Sequence, residues 1–233
     1  MDQIAVVTGA GSGVGRAIAQ RLAAEGWAVG LLGRRAEALA ETAAVNPSRM
    51  SAFECDVADQ ASVDRAFSAV RKQFGFISVL VNSAGINTPR RSLEQLSTRD
   101  YLAVVNTNLN GVFYCVAAVL PEMRAKKRGT IVNIVSDAGL VAKPKAGAAY
   151  AASKFGVMGL TQSINAEERE RGIRACAICP GDIDTPILEN RPVPPTAEAR
   201  RKMLRPSDVA ECAMLAIRLG DHAIVEQLVI VPR

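Results

Sequence analysis

Short apolar runs alternate with longer amphipathic ones along the chain. The runs at 4–8, 28–32, 50–54, 79–81, 130–135, 174–178 and 225–231 are too short for helices and read as strands. Between them, 13–25, 36–44, 62–74, 99–126, 150–171 and 206–219 carry helical patterns. Strands alternating with helices predict an α/β fold: one doubly wound domain over 1–233, with a seven-stranded parallel sheet flanked by helices on both faces. Right-handed crossovers leave few topologies for such a sheet. The stretch 99–126 is apolar on more than one face, with Leu102, Val105, Leu109, Val112, Val116 and Val119 on one side and Val104, Phe113 and Ala117 elsewhere. A helix apolar around most of its girth is buried, and one way to bury it is against a second copy of the chain. The Pro-rich loop 186–206 breaks the alternation and is either a flap or an inert connection.

Composition narrows the function classes. With 233 residues and 49% hydrophobic content the chain can build a sizeable core. The first residues read as a strand with no secretory pattern, and no unbroken apolar run reaches the roughly eighteen residues of a membrane span. Five scattered cysteines point to a reducing, cytoplasmic setting. Cys176 and Cys179 form a C-x-x-C inside a strand run, where period two sends them to opposite faces, against a zinc or redox role. A net charge of +5 without a dense basic block does not indicate nucleic-acid binding.

Candidate chemistry sits where strands end. Thr8-Gly-Ala-Gly-Ser-Gly-Val-Gly15 joins the first strand to the first helix. Glycines there let the backbone approach a pyrophosphate, and the helix N-terminus attracts its charge. The second strand ends in Gly33-Arg34-Arg35. A carboxylate at this place would bond a ribose hydroxyl; Gly33 followed by Arg34 and Arg35 suits a 2′-phosphate instead. Asp56 ends the third strand and suits either an adenine amine or the cap of the next helix. Asn82 is placed to tie neighbouring strands together. Ser136 follows the fifth strand, and Tyr150 and Lys154 share one face of a helix at a spacing of four. An ammonium at about 4 Å from the phenol would favour the phenolate by several kcal/mol at an effective dielectric near 20, which would bring Tyr150 towards general acid/base work near neutrality.

Taken together, Thr-Gly-x-x-x-Gly-x-Gly at 8–15, Asn-Ser-Ala-Gly at 82–85, Asn108, Ser136, Tyr-x-x-x-Lys at 150–154 and Pro180-Gly-Asp-Ile-Asp-Thr-Pro186 resemble the short-chain dehydrogenase/reductase family over almost the whole chain. The resemblance implies a Rossmann-like fold and reversible hydride transfer between alcohol and carbonyl. It implies that Tyr150 is the general acid, that Ser136 bonds the carbonyl oxygen, and that Lys154 lowers the Tyr150 pKa and bonds the nicotinamide ribose. Asn108 would hold a water linking Lys154 to solvent. The dinucleotide would be held by Gly9, Ser12, Gly13, Val14 and Gly15, by Arg34, Arg35, Asp56 and Val57, by Asn82, Ala84 and Gly85, and by Pro180, Gly181, Ile183 and Thr185, with Tyr150 and Lys154. NADP(H) is the favoured cofactor and NAD(H) the alternative. No metal site is expected, and a homotetramer or homodimer is. The Pro-Arg ending is similar to the branch that reduces small 3-oxo acids, hydroxy-amino acids and aldehydes.

The substrate expected is a small carbonyl or alcohol, with an anionic group if Arg90, Arg91, Lys143 or Lys145 line the site. Two other readings remain open: an NAD-dependent polyol or sugar dehydrogenase, and a non-catalytic NADP-sensing regulator on the same fold. The regulator needs none of Asn108, Ser136, Tyr150 and Lys154.

Overall fold

A computed structural model describes residues 3–233. Its strands are β1 (Ile4–Thr8), β2 (Ala28–Gly33), β3 (Met50–Glu54), β4 (Val79–Asn82), β5 (Gly129–Ile134), β6 (Ile173–Pro180) and β7 (Gln227–Ile230). They form one parallel sheet in the order β3-β2-β1-β4-β5-β6-β7. The helices are α1 (Gly13–Ala24), α2 (Ala36–Ala43), α3 (Gln60–Phe74), α4 (Thr98–Val105), α5 (Gly111–Lys126), α6 (Ala148–Glu168), α7 (Ala197–Arg201) and α8 (Pro206–Arg218).

Period two along the strands sorts the core into two layers. Ile4 and Val6 of β1 pack with Val63, Phe67 and Val70 of α3 and Val112, Val116 and Val119 of α5. Ala5 and Val7 face the other way, onto Ile18 and Leu22 of α1 and Val209, Ala213 and Met214 of α8. The same alternation places Cys176 in one layer and Cys179 in the other. β1 and β6, inside the sheet, are wholly buried, whereas the edge strand β7 is only half covered and is shorter than the 225–231 run.

Several boundaries differ from the sequence pattern for local reasons. Helix α3 starts two residues early because Asp59 accepts from Ala61 N at 3.0 Å and caps it. The 99–126 stretch is not one continuous α-helix: a π-helical turn, Asn106–Asn110, separates α4 from α5. Such a turn takes an extra residue and rotates the face presented to the sheet. Val104 is therefore buried and Leu102 exposed, the reverse of a continuous helical projection, while Val112, Val116 and Val119 keep their inward place. By length and hydropathy the 98–126 stretch would suffice to cross a membrane. In this fold its inward stripe lies on the sheet, and Tyr101, Leu102 and Phe113 remain exposed, as does Phe155 of α6. The loop after β6 holds a short 3₁₀ turn, Pro186–Asn190, and the unexpected α7.

The sheet order reverses between β1 and β4. Chain leaves β1 towards β2 and β3, then crosses back to β4 and continues outward. Loops diverge at the carboxyl ends of these two strands and open a crevice, the place where such sheets bind ligands.

Candidate active site

The crevice floor is built from the turn after β1 and the segment after β4. Thr8 Oγ1 accepts from Ser83 N at 3.0 Å and from Ala84 N at 3.1 Å, which locks the two loops together. Gly9 has φ +65°, and a Cβ on it would meet the Ala84 backbone at 2.9 Å. A Cβ on Gly15 would lie 2.5 Å from the Gly9 oxygen. Only glycine allows α1 to begin so close to the turn that precedes it. Its first N–H groups, which lack intrahelical partners, therefore open beside Ser12, Gly13, Val14 and Gly15 at the crevice wall. Gly13 also meets Thr185 across the opening.

Beyond this turn the crevice continues into a lobe lined by Gly33, Arg34, Arg35, Asp56 and Val57, which shares Gly9, Ser12, Ala84 and Gly85 with the first. Arg34 and Arg35 are exposed, and among the described residues neither makes an ion pair or side-chain hydrogen bond. Leu39 fills the space beside Gly33: a Cβ there would be 3.3 Å from Leu39 Cδ2. Asp56 does not cap α3. Its Oδ1 accepts from Ala58 N at 3.0 Å in a local turn, and Asp59 takes the cap.

At the other end of the crevice, Ser136 lies just past β5, Tyr150 in the first turn of α6, and Lys154 one turn further on. Gly147, with φ +80°, caps α6 and packs against Arg91, where a Cβ would meet Arg91 Cβ at 2.6 Å. Lys154 is 5% exposed and donates to Ile134 O at 2.8 Å. Its ammonium sits over the Tyr150 ring, 5.5 Å from the centroid. Burial lowers the Lys154 pKa to about 8.

The phenol departs from the expectation set by the Tyr-x-x-x-Lys spacing. Burial pushes Tyr150 up to about 12; hydrogen bonding with Ser136 opposes this, the Asp137 carboxylate adds to it, and the cations that favour the phenolate are Arg191 and Arg91. Lys154 Nζ is held on the β5 carbonyl of Ile134 and lies over the ring face. At neutral pH the phenol keeps its proton, the form needed to donate to a carbonyl oxygen.

Asn108 lies under this group, fully buried in the π-helical turn. Its Oδ1 accepts from Ile86 N at 2.8 Å, and its Nδ2 donates to Ile86 O at 2.9 Å and Ser153 Oγ at 3.2 Å. Ser153 in turn donates to Tyr150 O at 2.8 Å. The amide thus fixes the post-β4 segment to the helix that carries Tyr150. Ser153 escaped notice in the sequence because a small polar residue inside a helical run carries no distinguishing signal. Asn82 Nδ2 donates to Asn133 Oδ1 at 2.9 Å, tying β4 to β5, and Asn133 donates onward to Thr161. Asn82 and Asn108 lie beneath the crevice; the other residues singled out by sequence for dinucleotide binding or catalysis line it.

The Lys154 shift has a consequence for stability. A lysine whose pKa is lower folded than unfolded is penalised while charged. That penalty is complete below about pH 8 and is relieved as pH rises through 8 to 10.5. Its size is roughly 3 kcal/mol at ~1.4 kcal/mol per pH unit. In the cofactor-free protein, Lys154→Met is expected to gain stability on wild type at pH 7 and to lose that gain by pH 10.5, as read by urea unfolding. A difference that stays constant with pH contradicts the burial argument.

Of four loop cations expected near the substrate, three line this end. Arg90 does not: it is exposed and lies 3.8 Å from Asp100. Lys143 pairs with Asp137, and Lys145 pairs with Asp182 at 2.8 Å. Arg91 is 6% exposed, and among the described residues its hydrogen bonds go to carbonyls, those of Thr88, Lys145 and Asn190. Arg191, on the loop after β6, also lines the cavity and bonds Asp182 at 2.6 Å.

Residues 3–194 match the family model described as short chain dehydrogenase. A 2-(R)-hydroxypropyl-CoM dehydrogenase of Xanthobacter autotrophicus is 42% identical over 197 residues, covering 82% of this chain and 78% of that one. An uncharacterized oxidoreductase of Staphylococcus saprophyticus is 34% identical over 235 residues, 99% and 97% of the two chains. The solved structure of an actinorhodin polyketide ketoreductase with NADPH superposes with a TM-score of 0.91 at 31% identity, over 99% of this chain and 96% of that one.

Proposed function

The chain belongs to the short chain dehydrogenase family, whose oxidoreductases act on alcohol and carbonyl groups, and we propose that it is an NADP(H)-dependent reductase of a small carbonyl substrate with Tyr150 as acid/base. The convergence of Ser136, Tyr150 and Lys154 at one end of a glycine-floored crevice carries this reading.

The residues present fit a dinucleotide. The Gly9–Gly15 turn leaves a cradle that a Cβ at Gly15 would destroy, and the N–H groups of α1 suit a pyrophosphate. Arg34 and Arg35 would take the 2′-phosphate. Ile183, Thr185 and Gly181, which line the same cavity as Ser136 and Tyr150, would hold the nicotinamide end. When bound, the cofactor supplies or accepts the hydride.

The chain's own side chains do the rest. Tyr150 donates its proton to the substrate oxygen as charge develops there. Ser136 holds that oxygen by a second hydrogen bond, favouring the charged transition state. Lys154, anchored on Ile134 O, has further N–H groups for a ribose hydroxyl. Asn108 holds the Ile86 segment and α6 in register through Ser153. In the reverse direction Tyr150 must first lose its proton, so oxidation gains with rising pH while reduction loses on the alkaline side.

Exposed Tyr101, Leu102, Phe113 and Phe155 on α4, α5 and α6 favour a homo-oligomer built on that face. Free thiols at all five cysteines suit a cytoplasmic setting.

Arg34→Ala tests the cofactor choice. Loss of charge-assisted bonds to a phosphate costs about 1.5–3 kcal/mol, so NADPH affinity is expected to fall by roughly tenfold to a hundredfold while NADH affinity holds. Tighter NADH than NADPH binding in wild type contradicts the choice.

A further inference from the structure

The substrate end of the cavity holds more cations than carboxylates, and one of the cations, Arg91, has surroundings unlike the rest. Its charged lining is Arg91, Lys143, Lys145, Lys154 and Arg191 against Asp137 and Asp182. Lys143 pairs with Asp137, Lys145 and Arg191 divide the single carboxylate of Asp182, and Lys154 is held on Ile134 O. Arg91 remains as a guanidinium, more than nine-tenths buried, with no carboxylate among the described residues. Its three carbonyl bonds use three of five N–H groups, so two remain to donate.

Arg91 sits on the fixed wall after β4 and beneath the start of α6, whereas Arg191 sits on the loop after β6. Arg91 also holds that loop, by its bond to Asn190 O. The two guanidiniums are close enough for Arg191 to disfavour the charged form of Arg91, and both act on Tyr150. Like charges drawn together in a cavity are unfavourable until an anion separates them, and a guanidinium presents paired N–H groups that match a carboxylate.

We propose that Arg91 and Arg191 together receive a carboxylate carried by the substrate, one from the wall and one from the loop, so that this enzyme acts on small oxo acids in preference to neutral ketones. The inference rests on the reductase reading above and adds the substrate class. The carboxylate fills the space between the two cations and draws the loop onto the wall. It also screens the charges that favour the Tyr150 phenolate, which keeps the phenol protonated for donation.

The test compares 2-oxo, 3-oxo and 4-oxo acids of four or five carbons with their methyl esters, with NADPH, in wild type, Arg191→Gln, Arg191→Lys and Arg91→Lys. In wild type at least one acid is expected to exceed its ester in kcat/KM. In Arg191→Gln the acid-to-ester ratio is expected to fall by roughly tenfold to a hundredfold, with partial recovery in Arg191→Lys. Arg91→Lys keeps charge but loses the fork, and the ratio is expected to fall there too. No acid preference in wild type, or a ratio unmoved by Arg191→Gln, overturns the proposal. If no carbonyl compound is turned over, the reductase reading fails, and saturation-transfer NMR with butanoate and butanamide decides the anion site separately. A butanoate signal present in wild type and lost in Arg191→Gln sustains it, and equal signals for the two probes overturn it.

Discussion

Tyr150→Phe is expected to lower turnover of a carbonyl substrate by about 10²- to 10⁴-fold, the range for losing a positioned general acid, with NADPH affinity changed far less. Phenylalanine fills the same space and leaves the ring against the Lys154 ammonium, so the change removes one hydroxyl and little else. No other acid replaces it. Ser136 carries an aliphatic hydroxyl, a far weaker acid than a phenol, and Lys154 is held on Ile134 O at 2.8 Å. Single-turnover oxidation of NADPH, with the cofactor titrated separately by its fluorescence, checks both halves. Loss of NADPH binding in step with activity would mean that the hydroxyl serves the cofactor and not the substrate.

Gly15→Ala is expected to weaken dinucleotide binding by roughly fivefold to a hundredfold while the protein stays folded. The added carbon would lie 2.5 Å from the Gly9 oxygen and 2.8 Å from the Gly9 carbonyl carbon. The turn cannot retreat, because Gly9 is itself within 2.9 Å of the Ala84 backbone for any added atom on that side, and Thr8 pins Ser83 and Ala84 from below. Overpacking of this kind costs about 1–3 kcal/mol, and ~1.4 kcal/mol is tenfold in affinity. Strain relieved by moving the start of α1 takes the N–H groups away from the pyrophosphate. Ile18, Leu22 and both core layers are untouched, so cooperative unfolding persists. Circular dichroism melting alongside NADPH titration separates the outcomes; unchanged affinity in a folded variant contradicts the close-packed turn.

The parts of the molecule governed by local pattern were legible in the sequence. Strand runs such as 4–8 and 130–135 fall where the sheet has them, because a strand buried on both faces needs continuous apolar residues. The glycine turn was legible because few chemistries other than close backbone approach demand Gly9, Gly13 and Gly15 together. What escaped was decided by residues distant in the chain or by backbone detail. The π-helical turn at Asn106–Asn110 sits inside an apolar helix, and only its run of three asparagines hinted at it. Sequence offers Arg91 as one of four loop cations for a substrate anion without separating it from Arg90; its burial comes from Lys145, Gly147 and Asn190, more than fifty residues away. Arg191 lies in a stretch that reads as a flap or an inert connection, and Asp182, bound to it, meets Lys145 across 37 residues. The rest of the Tyr150 environment is hidden for the same reason. Helical spacing places Lys154 one turn away, but the acceptor that fixes its ammonium belongs to β5, and further cations bearing on the phenol come from two other loops.

The pH dependence of kcat/KM for NADPH-dependent reduction, measured in wild type and Tyr150→Phe, bears most directly on Tyr150 as proton donor. A phenol held protonated by burial gives wild type a level rate through neutral pH and a tenfold fall per pH unit above a single alkaline pKa, and the residual rate of the variant shows no such limb. An alkaline limb that survives in Tyr150→Phe, or a variant that reduces carbonyls as fast as wild type, would contradict the account.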